Sequence, residues 1–105
     1  MQMAGLEQPM RYLTIRIQYP KPEHRDDTLK AVSRVAEAAR THDGLVEIGA
    51  WLDEANDRIV NMSLWESEEV AMKATNEMHF LFADTPWGEW ERQPAENFLG
   101  LKRAV

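Results

Sequence analysis

The chain has 105 residues, 44% of them apolar and 29% charged, which suits a single soluble globular domain with one modest core. Eighteen acidic residues against twelve basic ones give a formal charge of −6, with short basic clusters only at Lys21/His24/Arg25 and Lys102/Arg103. Nucleic acid, which needs a basic stripe against its phosphates, is thereby disfavoured as a partner, and the absence of cysteine excludes disulfides, thiolate catalysis and Cys-ligated metal.

No apolar run approaches the length of a membrane span, so no membrane association is expected. The opening MQMAGLEQPM lacks the basic start and apolar segment of a signal peptide. The expectation is a cytoplasmic protein with a loose extension over residues 1–10 and one domain over residues 11–105.

Arg11 to Tyr19 alternates as a strand, with Leu13, Ile15, Ile17 and Tyr19 on one face and Tyr12, Thr14, Arg16 and Gln18 on the other. Pro20 and Pro22 end it, since proline cannot donate to a ladder. A helix follows from Asp26 or Asp27, with Leu29, Val32, Val35, Ala36 and Ala39 at helical spacing and Gly44 as its left-handed stop. Leu45 to Asp53 reads as the second strand, with Val46, Ile48, Ala50 and Leu52 on an apolar face and Leu45, Glu47, Gly49, Trp51 and Asp53 on a mixed one.

Glu54 to Asp57 is turn chemistry, and Arg58 to Trp65 is the third strand. Ser67 is a good N-cap for a second helix reaching about Phe82, with Glu68 and Glu69 in its first turn. Thr85-Pro86-Trp87-Gly88 breaks that helix, Trp87 to Trp90 can form a short helical turn, and Glu96 to Arg103 reads as a last strand. The order β-α-β-β-α-β is that of the ferredoxin-like α+β fold. Helices cover only one face of such a sheet. The apolar side chains of the second and third strands leave the other face too greasy for water, and a second copy packed face to face is the simplest cover.

Gly44-Leu45-Val46, Trp51-x-Asp53-Glu54, Trp65-Glu66-Ser67-Glu68-Glu69 and His79-Phe80, set in a chain of this order, resemble the antibiotic biosynthesis monooxygenase family over roughly residues 11 to 103. The resemblance implies a dimeric α+β barrel. It also implies a possible oxygenase that works without metal, flavin or nucleotide cofactor, on a small aromatic substrate of quinol or anthrone type. The alternative is a non-catalytic barrel that binds a small hydrophobic ligand or has a structural role, because one fold hosts many functions. In anthrone oxygenases of the family an Asn four residues before the Trp lines the pocket with it, as Asn61 and Trp65 would here. His79 stands where quinol-type members carry the second of two histidines, while Ala74 takes the place of the first and Ala71 that of an expected tyrosine. Haem-degrading members use an Asn, a Trp and a His where this chain has Thr14 or Arg16, Ala74 and Asp84, which argues against haem degradation.

The catalytic candidates are therefore Asn61, Trp65 and His79, and the substrate-binding candidates Arg16, Trp51 and Trp87; no metal ligands are expected. Each has a plainer reading. Trp65 is either a core residue or a flat wall for an aromatic ring. Asn61, an amide on an apolar strand, bonds to a neighbouring loop or to a substrate oxygen. His79 is an exposed helix residue or a proton carrier. Arg16 shares the parity that meets Asn61 across a sheet, and binds an anion or reaches solvent. Trp87 and Trp90 roof a pocket or staple their loop to the core.

Overall fold

Alternation along β1 (Tyr12–Pro20) makes it a two-faced strand, and both neighbours in the sheet read that alternation back. The computed structural model describes residues 10–105, so the expected extension lies, apart from Met10, outside the described residues. After β1 come α1 (Arg25–Ala39), β2 (Leu45–Asp53), β3 (Arg58–Trp65), α2 (Glu68–Glu77), α3 (His79–Ala83), α4 (Trp87–Trp90) and β4 (Glu91–Leu101). The strands form one antiparallel sheet in the order β2-β3-β1-β4, the ferredoxin-like α+β arrangement.

β2 and β3 have the bounds expected from their patterns. Their connecting turn ends at Asp57, in the left-handed region at φ 54°. Asp53 anchors it, accepting from Asn56 Nδ2 at 2.9 Å and Arg58 Nε at 2.8 Å. The Asn56 amide first, then Arg58, holds the Asp53 carboxyl below its ordinary value.

Three expectations need correction. Ile48, Ala50 and Leu52 do not share a face with Val60, Met62 and Leu64. They pair with Ser63, Asn61 and Ile59, and so point toward the helices. The cause is a bulge at the start of β2: Leu45 pairs with Trp65 and Glu47 with Leu64, leaving Val46 as the extra residue. One inserted residue turns every later side chain to the opposite face.

The second helix does not run unbroken to Phe82; it stops at Glu77 and resumes at His79. The apolar spacing continues through Met78, which hides the break in the sequence. What changes is the backbone, where Leu81 N bonds back three residues to Met78 O at 2.9 Å. The last strand starts at Glu91 rather than Glu96 and includes Pro94. β4 is an edge strand, and its register against β1 passes from Ile17–Glu96 to Tyr19–Gln93, so Pro94 sits in a bulge where no ladder donor is required.

The core is concentrated at one end. Trp65, Ala39, Ala71, Ala74 and Met78 are buried together, with Leu45, Val70 and Leu81 against them. The other face of the sheet carries Leu13, Ile15 and Ile17 paired with Leu64, Met62 and Val60, flanked by Trp51 and Phe98. Trp51 and Phe98 are 53% and 42% exposed.

Two junction residues hold the helical layer to the sheet. Ser67 Oγ accepts from Val70 N at 3.2 Å, capping α2. Gly44 has φ 91°, and a Cβ there would lie 2.4 Å from Val70 Cγ1. Gly44→Ala therefore meets both a left-handed backbone and a clash, and is expected to destabilise by about 2 kcal/mol or more. Ser67→Ala loses only the cap and should cost about 1 kcal/mol. Urea unfolding of the two variants checks this order.

Candidate functional site

The register of β1 against β3 brings Thr14 opposite Ser63, Arg16 opposite Asn61 and Gln18 opposite Ile59. Side chains of paired residues share a face, so a polar stripe runs along the two central strands on the side that the helices cover. A sheet buried under a helix would ordinarily be apolar there. Between this stripe and α1 lies a cavity of about 440 Å³, walled on the helix side by Leu29, Val32 and Ala36 and closed in part by Phe82 and Trp87.

Asn61 is the fixed point of the stripe. Its Nδ2 donates to Arg16 O at 3.1 Å and to Gln18 Oε1 at 2.9 Å. A backbone carbonyl can only accept, so the amide cannot be turned round. Both amide hydrogens are thereby used, and Oδ1 is left buried without a partner, in a residue that lines the cavity. The polar atom that Asn61 has to spare is therefore an acceptor rather than a donor. Gln18, only 1% exposed, is held in place by the same contact.

Ser63 forms a second closed group: its Oγ lies 2.5 Å from Thr14 Oγ1 and accepts from Trp65 Nε1 at 3.1 Å. Trp65 thus has its indole N–H satisfied and its rings packed in the core, 3% exposed, and it does not line the cavity. It shares a strand face with Asn61 but stands beyond Ser63, behind the cavity end.

Arg16 lines the cavity at its far side. Its Nη1 donates to Asn97 Oδ1 at 3.0 Å, and Nη2 lies 3.9 Å from Glu91 Oε1. Trp87 also lines the cavity, while Trp90 does the stapling: it stacks on His24 with centroids 6.0 Å apart, and its carbonyl accepts from Lys21 N at 2.7 Å. The two readings of that tryptophan pair divide between them, one roofing and one anchoring, with the indoles edge to face at 6.1 Å.

The remaining candidates stand apart from the cavity. Trp51 pairs with Val60 on the opposite face of the sheet, its indole lying back over Gly49. His79, exposed at the start of α3, is not among the cavity walls. Among the described residues no group of three His, Asp or Glu side chains is placed to hold a metal ion. Thr14, Gln18 and Ser63 belong to the site but were not singled out from the sequence. The signal was present, because they have the strand parity of Arg16 and Asn61.

The amide orientation is testable through stability. Asn61→Asp sets a carboxylate oxygen against Arg16 O, which can only accept, whereas Asn61→Ala only removes the contacts. Asn61→Asp should be the worse by about 1–3 kcal/mol in urea unfolding at neutral pH. Equal losses would mean that the amide is not held by those two acceptors.

A model of the antibiotic biosynthesis monooxygenase family matches residues 10–83. No curated protein matches the chain in sequence. Among solved structures, a conserved protein from Methanosarcina mazei superposes with a TM-score of 0.79 at 13% identity, over 94% of this chain and 99% of that one. Rv0793 from Mycobacterium tuberculosis gives 0.76 at 16% identity, over 90% of this chain and 99% of that one. SnoaB, a cofactor-independent oxygenase from Streptomyces nogalater, gives 0.69 at 16% identity, over 92% of this chain and 96% of that one. At such identities the likeness shows a shared fold.

Proposed function

The chain belongs to the antibiotic biosynthesis monooxygenase family, and from that premise we propose that it is a cofactor-independent monooxygenase acting on a small, easily oxidised aromatic of quinol or anthrone type. The observation that carries this reading is the cavity beside Asn61, whose only unspent polar atom is the acceptor Oδ1. A hydroxylated ring supplies the matching donor. The volume of about 440 Å³ falls within the range of small-molecule sites.

The chemistry asked of the protein is modest. An electron-rich phenol or enol that has left its proton in bulk water can pass one electron to dioxygen; the ring radical and superoxide so formed recombine to a peroxide, which takes back a proton and loses water to leave the oxidised ring. The chain's residues would orient the ring against Leu29 and Val32, accept a hydrogen bond from a second, un-ionised hydroxyl at Asn61 Oδ1, and keep water away. Arg16 lies where a positive charge would favour a developing phenolate. Trp65 supports this geometry from behind, through Ser63. The likeness in fold to SnoaB, a cofactor-independent oxygenase, supports a reaction that needs no cofactor.

A second reading keeps the cavity but not the turnover: a barrel that binds a hydrophobic ligand. The placement of His79, exposed and away from the cavity, favours it, since the side chain best suited to proton transfer near neutral pH is not at the site.

We further infer that the protein works as a homodimer joined through the uncovered sheet faces. Ile15 and Met62 lie centrally on that face. A buried unpaired charge there is costly, so Ile15→Glu should shift the sedimenting species from dimer to monomer. A wild-type monomer at micromolar concentration would refute the dimer. Ile48, which faces the helices, is not expected to act in the same way.

Oxygen uptake against a panel of quinols and anthrones, with chelator present, tests the enzymatic reading. Turnover should survive chelation. Asn61→Ala should lower kcat/KM by about 10–100-fold, the worth of one to two well-placed hydrogen bonds. His79→Ala should leave the rate and its pH profile within about twofold. Binding without oxygen uptake across the whole panel would move the assignment to the non-catalytic barrel.

A further inference from the structure

The group formed by Thr14, Ser63 and Trp65 holds more hydrogens than it has bonds to spend them on. An indole N–H only donates, so Ser63 Oγ accepts from Trp65 Nε1 at 3.1 Å. The 2.5 Å contact between Ser63 Oγ and Thr14 Oγ1 uses one more hydrogen, from either side. One indole and two hydroxyls thus bring three hydrogens to two bonds. If Ser63 donates to Thr14, the Thr14 hydrogen is left over. If Thr14 donates to Ser63, the Ser63 hydrogen is. Both arrangements leave one hydroxyl hydrogen without an acceptor among the described residues.

The surplus is placed where a ligand can use it. Thr14 and Ser63 both line the cavity of about 440 Å³, and both are only partly buried. A serine side chain ends at its hydroxyl, so the wall that Ser63 builds is that oxygen and the carbon bearing it. Ser63 lies two residues from Asn61 on β3, and Thr14 two residues from Arg16 on β1. The hydroxyl pair therefore stands about 7 Å along the sheet from the row of Arg16 and Asn61. Asn61 has an acceptor to spare, and the hydroxyl pair has a donor. Trp65 sets this balance without lining the cavity, because the hydrogen it gives to Ser63 is the one that puts the pair in surplus.

We propose that Thr14 and Ser63 form a shared donor site for a ligand oxygen that carries no hydrogen of its own, a ring ketone. The inference rests on the proposed occupancy of the cavity by a small aromatic molecule and deepens it, since it makes the hydroxyl pair a determinant of which aromatic is preferred. The two residues act as one donor: whichever hydroxyl turns toward the ketone, the other completes the chain to Trp65. Arg16 also brings donors to this cavity, so the test has to separate the two.

The test is equilibrium binding by calorimetry at neutral pH, with 5-hydroxy-1-tetralone and 5,6,7,8-tetrahydro-1-naphthol, which differ only in the ketone. The wild-type protein should bind the ketone about five- to tenfold more tightly, the worth of one hydrogen bond. Either hydroxyl alone still keeps one hydrogen free. Thr14→Val and Ser63→Ala should therefore each retain a preference of about threefold or more, whereas Thr14→Val combined with Ser63→Ala should fall to about twofold or less. Urea unfolding and near-UV circular dichroism establish that each variant is folded before its ratio is read. Should the stranded Trp65 indole unfold the double variant, adding Trp65→Phe removes that N–H as well, and the same ratio is read. Equal wild-type affinities for the two probes would overturn the donor site and leave the spare hydrogen to water. A preference lost in full with either single variant, or one that survives the double variant because Arg16 supplies it, would overturn the shared donor. Failure of both probes to bind would overturn the ligand cavity itself, and with it the functional reading on which the donor site rests.

Discussion

The Asn61 amide gives both of its hydrogens to β1, one to the Arg16 carbonyl and one to the Gln18 side chain, and the site is arranged around that commitment. The contact is possible only because Arg16 stands directly opposite Asn61 in the antiparallel register. It fixes which atom of the amide is left unpaired, and it keeps Gln18 satisfied at almost complete burial. Next along the strands, Thr14, Ser63 and Trp65 close a second group by the same cross-strand logic. The sheet therefore carries polar side chains under a helix without leaving most of them unpaired. The apolar core is displaced toward the Trp65 end, where Ala39, Ala71 and Ala74 allow close approach.

That arrangement leaves few orphans, and each matters energetically. An unmet buried donor or acceptor costs about 1–3 kcal/mol, against a total stability of about 5–15 kcal/mol for a domain. Asn61 Oδ1, Trp87 Nε1 and Glu91 Oε1 are the unpartnered buried side-chain atoms among the described residues, and Asn61 and Trp87 both belong to the cavity wall.

Much of this was legible from alternation and punctuation. Leu13, Ile15 and Ile17 announced β1; Ser67 announced the α2 cap; Gly44 announced the turn before β2. Parity allowed Arg16 to meet Asn61, and the register of β1 against β3 sets them directly opposite. What stayed hidden has local causes. The bulge at Val46 has no marker residue, yet it sends Ile48 and Ala50 to the helix side and Trp51 to the other. Met78 interrupts the hydrogen bonding of a helix without interrupting its apolar spacing. The last strand was expected only from Glu96, and the edge position of β4 with its bulge is what lets it begin at Glu91 and pass through Pro94. His79 matched a family position, but a position on a helix does not say which way the side chain turns.

The same physics explains why relatives at 13% to 16% identity share the fold so closely. Alternation, caps and turns can be met by many residues, so the backbone survives near-complete substitution. The polar stripe cannot be exchanged residue by residue in that way. Changing Asn61 alone strands Gln18, and changing Ser63 alone strands the Trp65 indole. The units of exchange here are cross-strand groups: Arg16 and Gln18 with Asn61, and Thr14 with Ser63 and Trp65. A relative that keeps one member and loses its partner has not kept the site. For this chain, the resemblance at Asn61 and Trp65 gains its force from the β1 residues that complete each group rather than from the two residues themselves.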